Sequence, residues 1–163
     1  MKAIQLREFG GADAFEFVEL DEPTPGEGEV LIEVTRSGVN FADTHSTRND
    51  YLSAQELPLI PGAEVAGRTA DGRRVAALVG NGGYAERIVV PEAMTIPIPD
   101  EVDDEQAAGA LLQGLTAMAL VNRMARIEAG ETIVIEAAAG GTGTLAVQIA
   151  KGAGATVDRK SVV

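Results

Sequence analysis

Residues 131–157 read ETIVIEAAAGGTGTLAVQIAKGAGATV. The run Thr132-Ile133-Val134-Ile135 is apolar and β-branched, which suits a short buried strand. A turn of small residues follows, Ala137 to Gly143. Leu145 to Ala150 then reads as an apolar helical run, with Gly152 and Gly154 placed to stop it. Ala155-Thr156-Val157 begins a second strand. Strand, glycine turn, helix and strand in this order open a nucleotide-binding βαβ unit. The glycines have a steric purpose. A pyrophosphate rests on backbone N–H groups at a helix N-terminus, and a Cβ there holds the chain away from it. The pattern here is A-x-G-x-x-G on Ala138, Gly140 and Gly143. Its plainer reading is a tight βα turn without a ligand. The residue that reads the ribose of a dinucleotide lies about 20 positions beyond such glycines. Only 20 residues follow Gly143, so the unit is expected to be begun and not finished.

The whole chain, at 163 residues, has room for one ordinary domain and part of another. Its 45% apolar content is that of a globular protein. No apolar run approaches the ~20 residues that span a bilayer, and no charged-then-apolar leader opens the sequence. A cytoplasmic protein without a membrane partner is the expectation. There are no cysteines, which excludes disulfides, thiolate zinc sites and cysteine nucleophiles. A formal net charge of −12 repels polyanions, so nucleic acid is not expected as a partner.

Upstream of the glycine turn the periodicity is that of strands. Met1 to Phe9 and Phe15 to Leu20 read as two strands across Gly10-Gly11, and Asp21 to Gly28 as a Pro/Gly connector. Glu29 to Thr35 alternates apolar and polar residues, as a half-buried strand does. Phe41 to Arg48 suits a short helix, and Asn49 to Glu56 a polar loop. Glu64 to Gly67 enters a strand, Asp71-Gly72 suits a hairpin turn, and Arg74 to Val79 returns from it. Tyr84 to Val90 is read as a last strand. Short strands at close intervals predict a compact β domain, barrel-like or sandwiched. After Pro99 the period becomes helical. Asp103 and Gln106 have capping-box spacing, and the helical pattern predicts a break or kink near Gly114.

Five segments, taken together, resemble the medium-chain dehydrogenase/reductase superfamily, in its zinc-independent, zeta-crystallin-like quinone oxidoreductase branch. They are SGVNFADTH (Ser37 to His45), LPLIPGAEVAG (Leu57 to Gly67), GGYAE (Gly82 to Glu86), GLTA (Gly114 to Ala117) and AAAGGTG (Ala137 to Gly143). Their order and spacing match the family over most of Met1 to Val157. The resemblance implies an α/β fold with a β-rich N-terminal part: a GroES-like β-barrel domain over residues 1–122, then the first βα(β) unit of a truncated Rossmann domain over 123–157. A full-length member is about twice this length, as two ordinary domains require.

What the resemblance implies about function follows residue by residue. The cofactor is NADPH or NADH. Asn40, Thr116, Gly140, Gly141, Thr142 and Gly143 are its candidate contacts, and Asp43 and Tyr51 are candidates for the acceptor pocket. Each has a bland alternative: Asn40 holding a turn, Asp43 capping the short helix, Thr116 bonded to its own backbone, Tyr51 a loop residue. The family's zinc enzymes carry Cys where Asn40 stands, and His45 is the only histidine; catalytic zinc commonly takes three protein ligands. No zinc is expected, and hydride delivery to an electron-poor acceptor needs none. The implied activity is NAD(P)H-dependent reduction of a quinone or activated alkene by a full-length homodimer, present here as an inactive fragment. The alternatives are an enoyl reductase of the same superfamily, or a non-catalytic binding or structural protein of the zeta-crystallin type.

Asp158 to Val163 reads DRKSVV. The hexapeptide is what the bases GATCGGAAGAGCGTCGTG encode, a common sequencing-adapter string whose next codon is a stop. Residues 158–163 are therefore expected to be a non-native tail.

Overall fold

A computed structural model describes residues 1–50 and 53–160, the last by its backbone alone. The chain divides into two compact units, Met1–Gly109 and Ala110–Val163.

In the first unit, strands β1 (Lys2–Leu6) and β2 (Phe15–Glu19) form an antiparallel pair with Ile4 opposite Phe17. Strands β3 (Glu29–Ser37), β4 (Glu64–Thr69), β5 (Arg74–Leu78), β6 (Arg87–Pro91) and β7 (Thr95–Pro97) make an antiparallel sheet in the order β6-β3-β4-β5-β7. This is the β-rich N-terminal part that the resemblance implied. The alternation of β3 buries Ile32 completely, whereas β4 buries every residue but Arg68, Glu64 and Thr69 included, and β5 buries Val75, Ala76 and Ala77. Ile32, Val65, Val75, Ala77, Ile88 and Val90 form the core. Each buried Ile or Val there contributes roughly 1.5–3 kcal/mol. The register of β3 on β4 shifts between Val34 and Arg36, as at a bulge, and helix α1 (Phe41–Ser46) follows β3 in the chain.

Two expectations for this unit are corrected. The strand read over Tyr84 to Val90 begins only at Arg87, because Tyr84 is spent on a turn, its N–H bonded to Pro61 O. Strand β7 went unread because a three-residue segment ending in Pro97 carries almost no period; it pairs on the outer edge of β5.

Helix α2 (Asp104–Met118) has the expected capping box. Asp103 Oδ1 accepts from Gln106 N at 2.6 Å, and Gln106 Oε1 accepts from Asp103 N at 3.2 Å. Asp104 fastens the helix start to the sheet. It accepts from Thr35 Oγ1 at 2.7 Å and from Arg74 Nη2 at 2.6 Å, and Arg74 also reaches Val102 O. The Thr35 hydroxyl, then the Arg74 guanidinium, hold the Asp104 carboxyl below the usual carboxylate range. The break expected near Gly114 does not occur: α2 runs through it. A helical glycine costs about 1 kcal/mol relative to alanine, and the leucines and glutamine beside it are strong helix formers. The irregularity comes later, as a π turn over Ala119–Met124. The division between the units falls inside α2, whereas the boundary read from the sequence, at 122/123, falls inside the π turn.

In the second unit, β8 (Thr132–Glu136), helix α3 (Gly141–Gly152) and β9 (Thr156–Lys160) form the expected βαβ unit. The strands are parallel, from Thr132 opposite Thr156 to Glu136 opposite Lys160. Strand β9 thus runs on through Asp158, Arg159 and Lys160, the charged residues assigned to the tail. Parallel pairing asks only for backbone groups, and the Asp158 and Arg159 side chains are exposed. Ala117, Val121, Ile135, Ala146 and Ala150 form this unit's core. Among the described residues no helix is long and apolar enough to cross a membrane.

Candidate functional site

The N-terminus of α1 is a knot of buried polar groups. Asn40, at the N-cap, is extended (φ −119°, ψ 149°) and buried. Its backbone N–H donates to Asp43 Oδ2 at 2.8 Å, which satisfies a donor the helix cannot. The same Oδ2 accepts the Tyr84 hydroxyl at 2.6 Å. Asn40 Nδ2 donates to Glu64 Oε1 at 2.9 Å, and Glu64, on β4, is 1% exposed. Gly38 makes room for that carboxylate: a Cβ on Gly38 would sit 2.2 Å from Glu64 Oε1 and 2.4 Å from its Cγ. Burial, then the hydrogen bond to Asp43, push the Tyr84 phenol well above its usual range, so it stays a neutral donor. Because Nδ2 is committed to Glu64, the Asn40 amide is fixed in one of its two orientations.

Asn40, Asp43 and Tyr84 also form part of the wall of a cavity of about 690 Å³ between β1, β2, the end of β3 and α1. Ile4, Phe15, Phe17, Val34 and Val39 supply its apolar side.

The glycine turn lies in the second unit. Gly140 is the N-cap of α3 and brings no side chain to cap it. Its own N–H donates to Ala137 O at 2.9 Å, and its carbonyl accepts from Thr144 N at 2.8 Å. The N–H groups of Gly141, Thr142 and Gly143 belong to the first turn, where an α-helix offers no internal acceptor. The first two glycines are exposed, so the backbone there is open to an anion. Gly143 lacks a Cβ for the sake of the turn itself: a Cβ would lie 2.2 Å from Ala137 O and 2.8 Å from Ala138 Cα. Thr142 donates its hydroxyl to Gln113 Oε1, which ties the turn to α2. A helix start that no side chain caps, with Gly140 and Gly141 exposed and Gln113 beside Gly141, fits the pyrophosphate of a dinucleotide.

Residues 26–100 match the alcohol dehydrogenase GroES-like domain family. The quinone oxidoreductase of Pseudomonas aeruginosa is 37% identical over 164 residues, covering 94% of this chain and 50% of that protein. The quinone oxidoreductase from Thermus thermophilus, solved alone and with NADPH, superposes with a TM-score of 0.93 at 42% identity, over 100% of this chain and 54% of that one. The Escherichia coli quinone oxidoreductase complexed with NADPH gives 0.92 at 29% identity, over 98% and 52%. The chain carries an alcohol dehydrogenase GroES-like domain over residues 26–100 and is similar, along nearly all of its length, to quinone oxidoreductases of the medium-chain dehydrogenase/reductase superfamily. It spans about half the length of the superfamily relatives it matches.

Within this superfamily frame the candidate residues fall into two sets. Asn40 and Asp43 are in the first unit, where the knot joins them to Glu64 and Tyr84. Thr116 and Gly140 to Gly143 are in the second. Thr116 is exposed, and its hydroxyl donates to Leu112 O at 2.8 Å, the back-bonded arrangement. Tyr51 lies outside the described residues. His45 sits in α1 with Nδ1 2.8 Å from Asp50 Oδ1. Among the described residues no group of three or more His, Asp or Glu side chains is arranged to hold a metal ion. Sequence reasoning missed Glu64, Tyr84 and Gln113. A charged residue inside the apolar run PGAEVAG was the available signal for Glu64. Gln113 carried none, since its role depends on how α2 packs beside the turn.

Proposed function

We propose that a full-length protein carrying this sequence transfers hydride from NADPH to a quinone or an activated alkene without a metal ion. The observation that carries the reading is the start of α3, which no side chain caps and where the N–H groups of Gly141, Thr142 and Gly143 have no acceptor within the helix. The NADPH complexes of the related quinone oxidoreductases support it.

In this reading the three amides hold the pyrophosphate, and Gln113 keeps Thr142 in place beside it. Asn40, its amide orientation set by Glu64, contacts the nicotinamide half of the cofactor. Asp43 acts at one remove: its carboxylate holds the Asn40 backbone and the Tyr84 hydroxyl rather than a ligand. The bound cofactor supplies the hydride, and an acceptor that is already electron-poor needs no Lewis acid. The test is oxidation of NADPH by a benzoquinone, followed through the absorbance of the reduced nicotinamide, with and without a zinc chelator. Equal turnover in both is expected. No oxidation removes the reductase reading, and loss only with chelator removes the metal-free part.

A further inference from the structure

Residues 80–83 read GNGG, and there the Asn81 side-chain carbonyl stands beside an unshielded backbone nitrogen. Asn81 is exposed. Gly82 takes φ +97°, a conformation that favours glycine, so the turn itself puts a residue without a Cβ after the asparagine. The other asparagines, Asn40, Asn49 and Asn122, precede Phe41, Asp50 and Arg123, whose side chains crowd the nitrogen that would attack. Two hydrogen bonds hold the reacting groups. Asn81 Nδ2 donates to Gln55 Oε1 at 2.8 Å, and Gly82 N donates to Ile60 O at 2.6 Å. Gln55 is in turn held by its own N–H, which donates to Asn49 Oδ1 at 2.7 Å. Asp71-Gly72 is the comparable acidic pair. The Thr69 hydroxyl, then the Arg73 guanidinium, hold the Asp71 carboxyl below the usual carboxylate range, and a carboxylate anion resists attack by a nitrogen nucleophile.

We propose that Asn81 is the site at which this chain spontaneously deamidates, and that Gln55 sets the rate in the folded protein. Base removes the Gly82 amide proton. The nitrogen bonds to Asn81 Cγ and ammonia leaves, closing a succinimide ring. Water then opens the ring at either carbonyl, giving aspartate or, with the main chain rerouted through the side-chain carbon, isoaspartate. Nothing is oxidised or reduced. Ring closure requires local opening of the bonds to Gln55 and Ile60. The product carboxylate has no hydrogen to give Gln55 Oε1, so the run of bonds from Asn81 through Gln55 to Asn49 ends with the reaction. Isoaspartate also lengthens the backbone in a turn where the N–H groups of Gly82, Gly83 and Tyr84 reach the carbonyls of Ile60, Gly62 and Pro61.

The test is timed incubation of the 163-residue chain at mildly alkaline pH, with peptide mass mapping to locate the conversion and separate the two products. Asn81 is expected to convert before Asn40, Asn49 and Asn122. Gln55→Ala is expected to raise its rate by about 2- to 10-fold, the worth of one neutral hydrogen bond. Gln55→Glu, which keeps an acceptor oxygen for Nδ2, is expected not to raise it. In urea, where the bonds are absent, all three proteins are expected to convert Asn81 at one rate, faster than the folded unsubstituted chain. Earlier conversion at another asparagine overturns the proposal. So does a folded Gln55→Ala protein that converts Asn81 no faster than the unsubstituted chain, or an unsubstituted chain that converts it equally fast in and out of urea. Either outcome leaves the reductase reading untouched.

Discussion

Substituting Gly143 by alanine tests whether the turn before α3 is shaped as described. The added Cβ would stand 2.2 Å from Ala137 O, 2.8 Å from Ala138 Cα and 2.9 Å from Ala137 C. All three are backbone atoms, so no side chain can rotate away. Ordinary carbon–oxygen contact demands a shift of about 1 Å, and overpacking of this kind costs about 1–3 kcal/mol. The carbonyl that must move is the one accepting Gly140 N–H, and losing that bond adds about 1 kcal/mol. Ala137 already has a positive φ of 50°, which leaves the turn little room to relax. Against this, alanine gains about 1 kcal/mol over glycine in helix propensity. The net expectation is a loss of about 1–3 kcal/mol, localised to the second unit. Gly152→Ala is the control: it lies at the end of the same helix, with nothing within 4 Å of its Cβ, and should gain up to about 1 kcal/mol. Amide hydrogen exchange over residues 137–152 reads the local effect. Wild-type or greater protection in Gly143→Ala would refute the account of the turn.

Three other substitutions address the first unit. Gly38→Ala drives a Cβ into the buried Glu64 carboxylate and should cost about 1–3 kcal/mol in urea denaturation; a neutral result would mean Glu64 is not held there. Tyr84→Phe removes a donor to Asp43, a hydrogen bond to a charged group worth about 1.5–3 kcal/mol, and thermal melting should show the loss. Asp104→Asn should weaken the tie between α2 and the sheet by about 1–3 kcal/mol at neutral pH. The folded carboxyl of Asp104 titrates below its unfolded value. Its contribution is therefore complete above the unfolded value of about 4 and fades as pH falls through the folded one. The stability gap between the two proteins should close in acid; a gap independent of pH would contradict the assignment.

Much of this architecture could be read from the amino acids because local pattern and final structure agree. TIVIE was read as a buried strand, the glycines follow at once, and LAVQIA has a helical face; strand, turn and helix form as expected, but of the strand only Ile135 is buried and Val134 is 62% exposed. The capping box at Asp103 was equally local. What escaped depended on distant partners. Glu64 looks like one more charge in a strand until Asn40 and Gly38, from another part of the chain, are seen around it. Asp43 was read as lining a pocket or capping a helix. The cap is what its bond to Asn40 N makes of it, and Tyr84, 41 residues away, completes the arrangement. Gly114 shows the opposite case: of the break or kink expected there, the break is overruled by its neighbours along α2.

Replacing Gly141 by proline tests the central claim most directly. Gly141 is the first residue of α3, the one helical position that tolerates proline. Gly140 before it has φ −74° and ψ 167°, a conformation proline permits. The nearest side chain is Gln113, its Cγ 3.3 Å from a Cβ placed on Gly141. The substitution therefore deletes one N–H and leaves the helix standing. Titration calorimetry of NADPH against a full-length protein carrying the sequence should show binding weakened by about 10- to 100-fold, the worth of one hydrogen bond to a charged group. An unchanged Kd in a folded Gly141→Pro protein would mean that the phosphates do not rest on the start of α3.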